Sequence, residues 1–272
     1  MTPLMSAASR GETETVRSLI KSGADVNARS SINATALFYA CDKNDAPGAR
    51  LEIVKMLVEA GADVSVVASN GKAADRVAAD NRMLTIANYL VDIYNRDLAL
   101  LTAVTKAYAD RDVPSESTWV ANWQAVKTAL AKGANPRFAG KETGETALMF
   151  LAYGLRAADD ATCQAIIARS DLDVQRKIDG YTALHTAAAY NNVKMMGWLI
   201  KAGANLNLIN INEIKRTPLD MAGLFDNKDA IALLEKAGAK TYKQLQDKKS
   251  EDKPFTPYYV ELFNHRAHEN RA

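Results

Sequence analysis

A stretch of 29 residues, from Asp179 to Asn207, most constrains what this chain can fold into. It reads DGYTALHTAAAYNNVKMMGWLIKAGANLN, so two apolar runs are separated by a short polar turn. The spacing i, i+3, i+4 in each run predicts two helices, each with one apolar face. The first face consists of Leu184, Ala187 and Ala188, and the second of Val193, Met196, Leu199 and Ile200. Gly203 follows in the position of a C-terminal cap.

The run Thr182–Ala187, together with a period near 33 residues, resembles the signature of ankyrin repeats. This resemblance implies a unit of two helices followed by an extended hairpin finger, and such units must stack to bury their apolar faces. Thr182 is placed to cap the first helix. Asn191 occupies the position of a family glycine, so we expect a left-handed backbone there. The resemblance also implies that His185 hydrogen-bonds a neighbouring loop.

Counting equivalents of Thr182 predicts an all-α ankyrin-repeat solenoid of about seven helix-turn-helix units with hairpin fingers, over residues 2–240. The equivalent positions are Thr2, Thr35, Ala73, Leu98, Thr146, Thr182 and Thr217. The spacing from Ala73 to Leu98 is only 25 residues, too short for a finger. We therefore predict a missing finger and a seam, which divides the chain into units one to three (1–96), units four to seven (97–240) and a C-terminal helix and tail (241–272).

Irregular units carry further expectations. In unit two, Pro47-Gly48 indicate a loop before a second helix over 51–60, and in unit three the second helix is expected to end near Ile93-Tyr94. In unit four, Pro114-Ser115 suit the start of a helix. Both indoles of that helix, Trp119 and Trp123, are expected to pack, and Trp198 in unit six is expected to be largely buried.

Composition excludes several classes of function. Lysine and arginine total 34 against 32 acidic residues, so no global field favours nucleic acid or a membrane surface. No apolar run reaches the roughly 18 residues that a membrane span needs. No signal peptide is recognised, so we expect a cytoplasmic monomer, periplasmic or secreted if an N-terminal signal was removed. Cys41 and Cys163 fall on core positions and are expected to be buried free thiols.

Residues for catalysis are few, so the sequence predicts no enzyme and no cofactor. It has three histidines and none of the motifs for phosphate loops, dinucleotides or C-x-x-C chemistry. His265 and His268 could form a surface metal site, although a solvated polar face is favoured. One alternative stays open, a small-molecule or metal-dependent activity in the unit-four insertion or the C-terminal tail. The aromatic segment Pro254–Phe263 either covers the last repeat or is a peptide that a partner grips.

Two first-helix positions and one long finger predict a binding surface on the concave side, because exposed aromatic and apolar residues are typical of contact surfaces. The predicted contact residues are Tyr39, Lys43, Phe150, Tyr190, Ile209, Ile211, Met221 and Phe225. We expect a protein partner. By analogy with bacterial free-standing ankyrin arrays, the resemblance implies an inhibitor, an immunity protein or a regulator of that partner.

Overall fold

The computed structural model describes residues 1–112, 115–155, 158–211 and 213–251. Over these ranges the chain is a row of helices joined by turns and tight fingers, with one isolated bridge, between Ala139 and Thr146. The helices are α1 (Pro3–Arg10), α2 (Thr13–Lys21), α3 (Ala36–Ala40), α4 (Pro47–Glu59), α5 (Ala74–Asp80), α6 (Leu84–Ala109), α7 (Glu116–Ala131), α8 (Ala147–Ala152), α9 (Asp160–Arg169), α10 (Ala183–Ala189), α11 (Val193–Lys201), α12 (Pro218–Leu224), α13 (Lys228–Lys236) and α14 (Tyr242–Glu251).

These helices stack as repeated pairs, so the predicted all-α solenoid is confirmed. First helices pack on first helices, as α1 does on α3 and α10 on α12, and second helices pack likewise, as α11 does on α13. The cap expected at Thr182 is confirmed, because its hydroxyl accepts a hydrogen bond from the backbone N–H of His185. Thr2, Thr35 and Thr217 cap their helices in the same way. Asn191 is left-handed, with φ of 50°, as predicted.

The seam between units three and four is a single continuous helix, α6. The second helix of unit three was expected to end near Ile93, but it runs on and becomes the first helix of unit four. The reason is visible in the sequence, because α6 contains neither glycine nor proline to stop a helix. Leu98 accordingly lies inside α6 and caps nothing, and the predicted loss of the third finger is confirmed.

Asp97 replaces one contact that the lost finger would have made. At regular junctions, an Asx side chain in one finger accepts a backbone N–H from the next; Asn27 accepts from Asp63 and Asp173 accepts from Asn205. At the seam, the buried Asp97 carboxylate within α6 accepts the backbone N–H of Asn135 at 2.9 Å. The link between successive units therefore crosses the seam.

The last carbonyls of the first helices are also bonded across unit boundaries. Amide side chains of the following unit donate to them: Asn81 to Cys41, Asn192 to Leu151 and Ala152, and Asn227 to Ala188 and Ala189. Between units one and two this donor is Arg50, which is fully buried. Its guanidinium donates to the carbonyls of Ala8, Ser9 and Ala40 and pairs with Asp45 at 2.7 Å. These bonds satisfy helix ends that water cannot reach.

The buried residues form two apolar clusters. One extends from Leu4 to Ile93 and the other from Leu100 to Ala239, and Tyr94 packs against both. Both cysteines are buried free thiols, as expected, and burial raises the pKa of each to about 12.

Two further expectations were wrong and one was confirmed. Helix α4 begins at Pro47, not near residue 51, because proline fits the first position of a helix. Trp198 is only partly buried, with the Lys194 ammonium 5.2 Å from its ring centroid. Ser115 is the N-cap of α7, as predicted. The tail from residue 252 onward, with His265 and His268, lies outside the described residues.

Candidate partner-binding face

A repeated pair of residues ends the first helices of units five to seven. In each pair an aromatic C-cap residue precedes a residue with a left-handed backbone. The pairs are Tyr153-Gly154, Tyr190-Asn191 and Phe225-Asp226, with φ of 83°, 50° and 50° at the second residue. The left-handed residue ends the helix, so the three aromatic side chains take equivalent places in successive units.

The rings of Tyr153 and Tyr190 form a contiguous cluster with rings from units four and five. The ring centroid of Tyr153 lies 4.9 Å from that of Tyr190 and 4.5 Å from that of Tyr108. Phe150 completes the cluster, 5.6 Å from Tyr108. Edge and tilted arrangements of this kind are favourable for aromatic pairs. We call the surface formed by Tyr108, Tyr153, Tyr190, Leu224 and Phe225 the aromatic face.

Arg176, in the finger between units five and six, holds Tyr153 in place. Its guanidinium donates to the Tyr153 hydroxyl at 2.7 Å, to a Glu145 oxygen at 3.2 Å and to both oxygens of Asp179. Because Arg176 and both carboxylates are largely buried, the network is well shielded from solvent. Burial raises the pKa of the Tyr153 phenol, so it stays protonated at neutral pH.

A second arginine covers the other end of the cluster. The Arg111 guanidinium lies 4.0 Å from the ring centroid of Tyr108, a cation–π geometry, and donates to the Tyr108 carbonyl at 2.9 Å. Burial raises the pKa of the Tyr108 phenol; the Arg111 charge offsets part of this rise, and the adjacent Tyr190 phenol adds to it.

The outer part of the face is open to solvent. Tyr190, Phe225 and Leu224 are 56%, 55% and 52% exposed. The fingers beside them carry three more exposed apolar side chains, Ile178, Ile211 and Ile214. Large apolar side chains grouped in this way on adjacent units, and not scattered singly, are typical of a contact surface.

Two of the predicted contact residues are buried, so the prediction that they lie on the surface is wrong. Phe150 is 7% exposed and Met221 is 4% exposed. Both occupy the fourth position of a first helix; Phe150 packs against Tyr108 of the preceding unit and against Tyr153 of its own unit. Both side chains therefore lie in the core of the free chain and not on its surface.

The other predicted residues fall in two places. Tyr190, Phe225 and Ile211 are exposed on units six and seven and their finger, while Ile209 is partly buried and accepts a hydrogen bond from Gln175. Tyr39 and Lys43 lie in unit two, on the other side of the seam. Tyr39 is partly buried against Phe38, and Lys43 is exposed.

Counting residues in a fixed register missed Tyr108, Tyr153, Arg111 and Arg176. Tyr153 was missed because α8 is one residue shorter than α10, which places Gly154 in register with Tyr190. An aromatic residue followed by Gly, Asn or Asp at the end of a first helix was the available signal. Tyr108 carried no such signal, because α6 runs beyond the usual length.

At the alternative site around Trp119 and Trp123, both indoles make hydrogen bonds within the structure. The Trp123 indole is 3% exposed and donates to Asp159 at 2.7 Å, and the Trp119 indole donates to the Asp110 carbonyl. The Lys127 ammonium, with Trp123, holds the pKa of the Asp159 carboxyl well below its usual range. Over the described ranges, no three His, Cys, Asp or Glu side chains are grouped as metal ligands. Nor does any helix in that part of the chain have the length and apolar character to cross a bilayer.

Comparisons with known proteins agree with this architecture. A family model described as ankyrin repeats (3 copies) matches residues 1–68 and 151–244. The chain is 28% identical, over 256 residues, to the E3 ubiquitin-protein ligase KEG of Arabidopsis thaliana. That alignment covers 87% of this chain but only 14% of the relative.

Among solved structures, the chain is similar to one from the complex of a predatory endopeptidase of Bdellovibrio bacteriovorus with an immunity protein. The two chains are 24% identical with a TM-score of 0.32, over 87% of this chain and 98% of the other. The family model covers more than half of the sequence, and its gap from residue 69 to 150 contains the seam and the fused helix. The chain therefore belongs to the ankyrin-repeat family, whose repeats are protein–protein interaction modules.

Proposed function

We propose that this protein binds a protein partner through the aromatic face and regulates that partner, as an inhibitor or immunity protein does, by covering part of its surface. The observation that carries the proposal is the exposed row of Tyr190, Leu224 and Phe225 beside the rings of Tyr108 and Tyr153. Tyrosine, tryptophan and arginine dominate the binding energy of protein interfaces.

Contacts within the chain also hold the tyrosines of the face in place, which favours binding. Arg176 fixes the Tyr153 phenol through carboxylates that are themselves largely buried, and Tyr153 in turn supports Tyr190. A surface that is ordered before binding loses little conformational entropy on association. A preformed face on stacked units is suited to covering a partner's functional surface, and this supports a regulatory role through binding.

The experiment starts with the partner. Co-purification from the native source with mass spectrometry should recover one protein in stoichiometric amount. Changing Tyr190 and Phe225 together to Ser should then weaken its binding by about 2 kcal/mol or more for each side chain. The fold should be retained, because both side chains are more than half exposed.

The matched control changes two exposed apolar residues elsewhere, Leu84 and Val120, to Ser. This variant should bind as the wild type does, because Leu84 lies in unit three, on the other side of the seam from units five to seven, and Val120 lies on α7, outside the aromatic face. Full affinity in the Tyr190 and Phe225 variant would overturn the proposal. Loss of binding in the control, or on removal of residues 254–272, would move the site away from the aromatic face.

A further inference from the structure

The seam leaves an apolar cavity where the third finger is missing. Its volume is about 220 Å³. The residues that line it belong to the finger of unit two, to the start of α5, to α6 and to the finger of unit four; they include Val64, Leu90, Val91, Tyr94, Phe138 and Lys141. Val91 is 41% exposed, so a bulky residue there would meet both the cavity and solvent.

Elsewhere in the row, neighbouring fingers bond to one another through their backbones. Ser69 donates to Ile32, Lys177 donates to Thr143 and Ile211 donates to Asp179, with N···O distances of 2.8, 2.9 and 3.2 Å. In each case the accepting carbonyl belongs to the residue three positions before the N-cap of the first helix that follows it in the chain. Within the residues that the structure covers, no backbone hydrogen bond joins the finger of unit two to that of unit four. Ala73 is the N-cap of α5. The corresponding acceptor at the seam is therefore the backbone carbonyl of Asn70, three residues earlier.

Each finger that is present also supplies an apolar side chain to the row. Val26, Val64, Val174 and Leu206 hold equivalent positions, and the finger of unit four supplies Phe138 two residues later; all five are buried or packed against the core. A third finger would have supplied one between Val64 and Phe138. The cavity at the seam is thus the place of one missing apolar side chain.

We propose that this cavity, the seam slot, binds an extended segment of another protein that acts as the missing finger and inserts one large apolar side chain. Addition of an extended peptide to an incomplete row of backbone partners is a known mode of recognition. Asp75 and Lys141, of opposite charge, both line the slot, so it favours a segment without strong net charge. The site is separate from the aromatic face and does not depend on the function proposed for that face.

The probe is a phage library of random peptides of about twelve residues, the length of the finger at residues 62–73. It is selected on the full-length protein and counter-selected on Val91→Trp, whose indole would fill the slot. Val120→Trp is the matched control, because Val120 is an exposed valine on α7. Circular dichroism and unfolding in urea establish that both variants are folded.

Selected peptides should lose affinity by about tenfold or more on Val91→Trp and stay within about twofold on Val120→Trp. Each peptide should also need one large apolar residue, so that changing this residue to Ser removes binding. The variant with Tyr190 and Phe225 changed to Ser should bind these peptides normally, which separates this result from that of the proposed function.

Three outcomes would overturn the inference. The first is that no peptide distinguishes the wild type from Val91→Trp. The second is that the peptides that do distinguish them need no apolar residue. The third is that peptides bind only after Phe255 and Phe263 are both changed to Ser, which would identify the chain's own tail as the occupant.

Discussion

His185 shows how a single buried side chain joins two repeats. Its Nδ1 accepts the Thr182 backbone N–H at 3.2 Å, and its Nε2 lies 3.3 Å from the Arg216 carbonyl in the next finger. The neutral tautomer with the proton on Nε2 satisfies both contacts. Burial lowers the pKa of this imidazole to about 4, and a second proton on Nδ1 would face the Thr182 N–H.

The difference between the folded and unfolded pKa of His185 predicts how the free energy of unfolding depends on pH. The folded pKa of His185, about 4, lies below the unfolded value of about 6.5, so the unfolded chain binds more protons between these values. The free energy of unfolding should therefore rise by about 3 kcal/mol between pH 4 and 6.5 from this group. His185→Asn should lower stability at neutral pH and flatten this rise in urea titrations. An unchanged slope in the variant would show that other groups cause it.

Sequence reasoning predicted His185 and Asn191 because each occupies a signature position whose physical role is local. Arg50 was not predicted. Its buried guanidinium joins the ends of α1 and α3, and its place in a polar insertion resembles that of a solvent-exposed arginine. Only the neighbouring unit supplies the carbonyls that make its burial favourable.

At the scale of elements, α6 and its buried Asp97 determine how the two halves connect. The Asp97 carboxylate accepts from the Asn135 backbone and from the Arg96 guanidinium. Asp97→Leu should lower the free energy of unfolding by about 2 to 3 kcal/mol, because these donors lose their acceptor. Asp97→Asn keeps an acceptor for Asn135 and should cost less than about 1 kcal/mol. Equal losses in both variants would contradict this role.

The pH dependence of this pair of variants tests the same contact. Burial raises the pKa of Asp97 above its usual range, so the folded state holds this proton more tightly than the unfolded state. Stability from this group therefore falls as pH rises from about 4 through the raised pKa. Asp97→Asn lacks this titration, so its stability relative to the wild type should improve from pH 4 to 7. Urea unfolding of both proteins across this range measures the difference.

Helix stops and starts were predictable where the sequence supplies a local signal, as at Gly203 and Ser115. The length of α6 was not predicted, because repeat register argued for a break where the residues themselves allow a continuous helix. Tyr153 was missed for a related reason. Counting residues from the N-cap assumes that first helices have equal lengths, whereas α8 ends one residue early.

For the whole molecule, the two apolar clusters predict two cooperative blocks, near 1–96 and 97–240. They meet at Tyr94, and stability in a repeat array is a sum of unit and interface terms. All three tryptophans, Trp119, Trp123 and Trp198, lie in the second block. Unfolding in urea followed by tryptophan fluorescence should therefore differ in midpoint from unfolding followed by circular dichroism. Tyr94→Ala should increase the difference between these two midpoints. Coincident transitions in both proteins would mean that the chain unfolds as one unit.

The sequence by itself determined the family, the paired helices of the regular units and the loss of the third finger, because each depends on a motif or a spacing along the chain. Only the tertiary structure decided which side chains form surfaces. Phe150 and Tyr190 both appeared as exposed aromatic residues, yet stacking buries the first and leaves the second open. The seam slot likewise exists only between fingers from different units. Burial in a stacked array depends on the neighbouring repeat, and a pattern within one repeat does not contain that information.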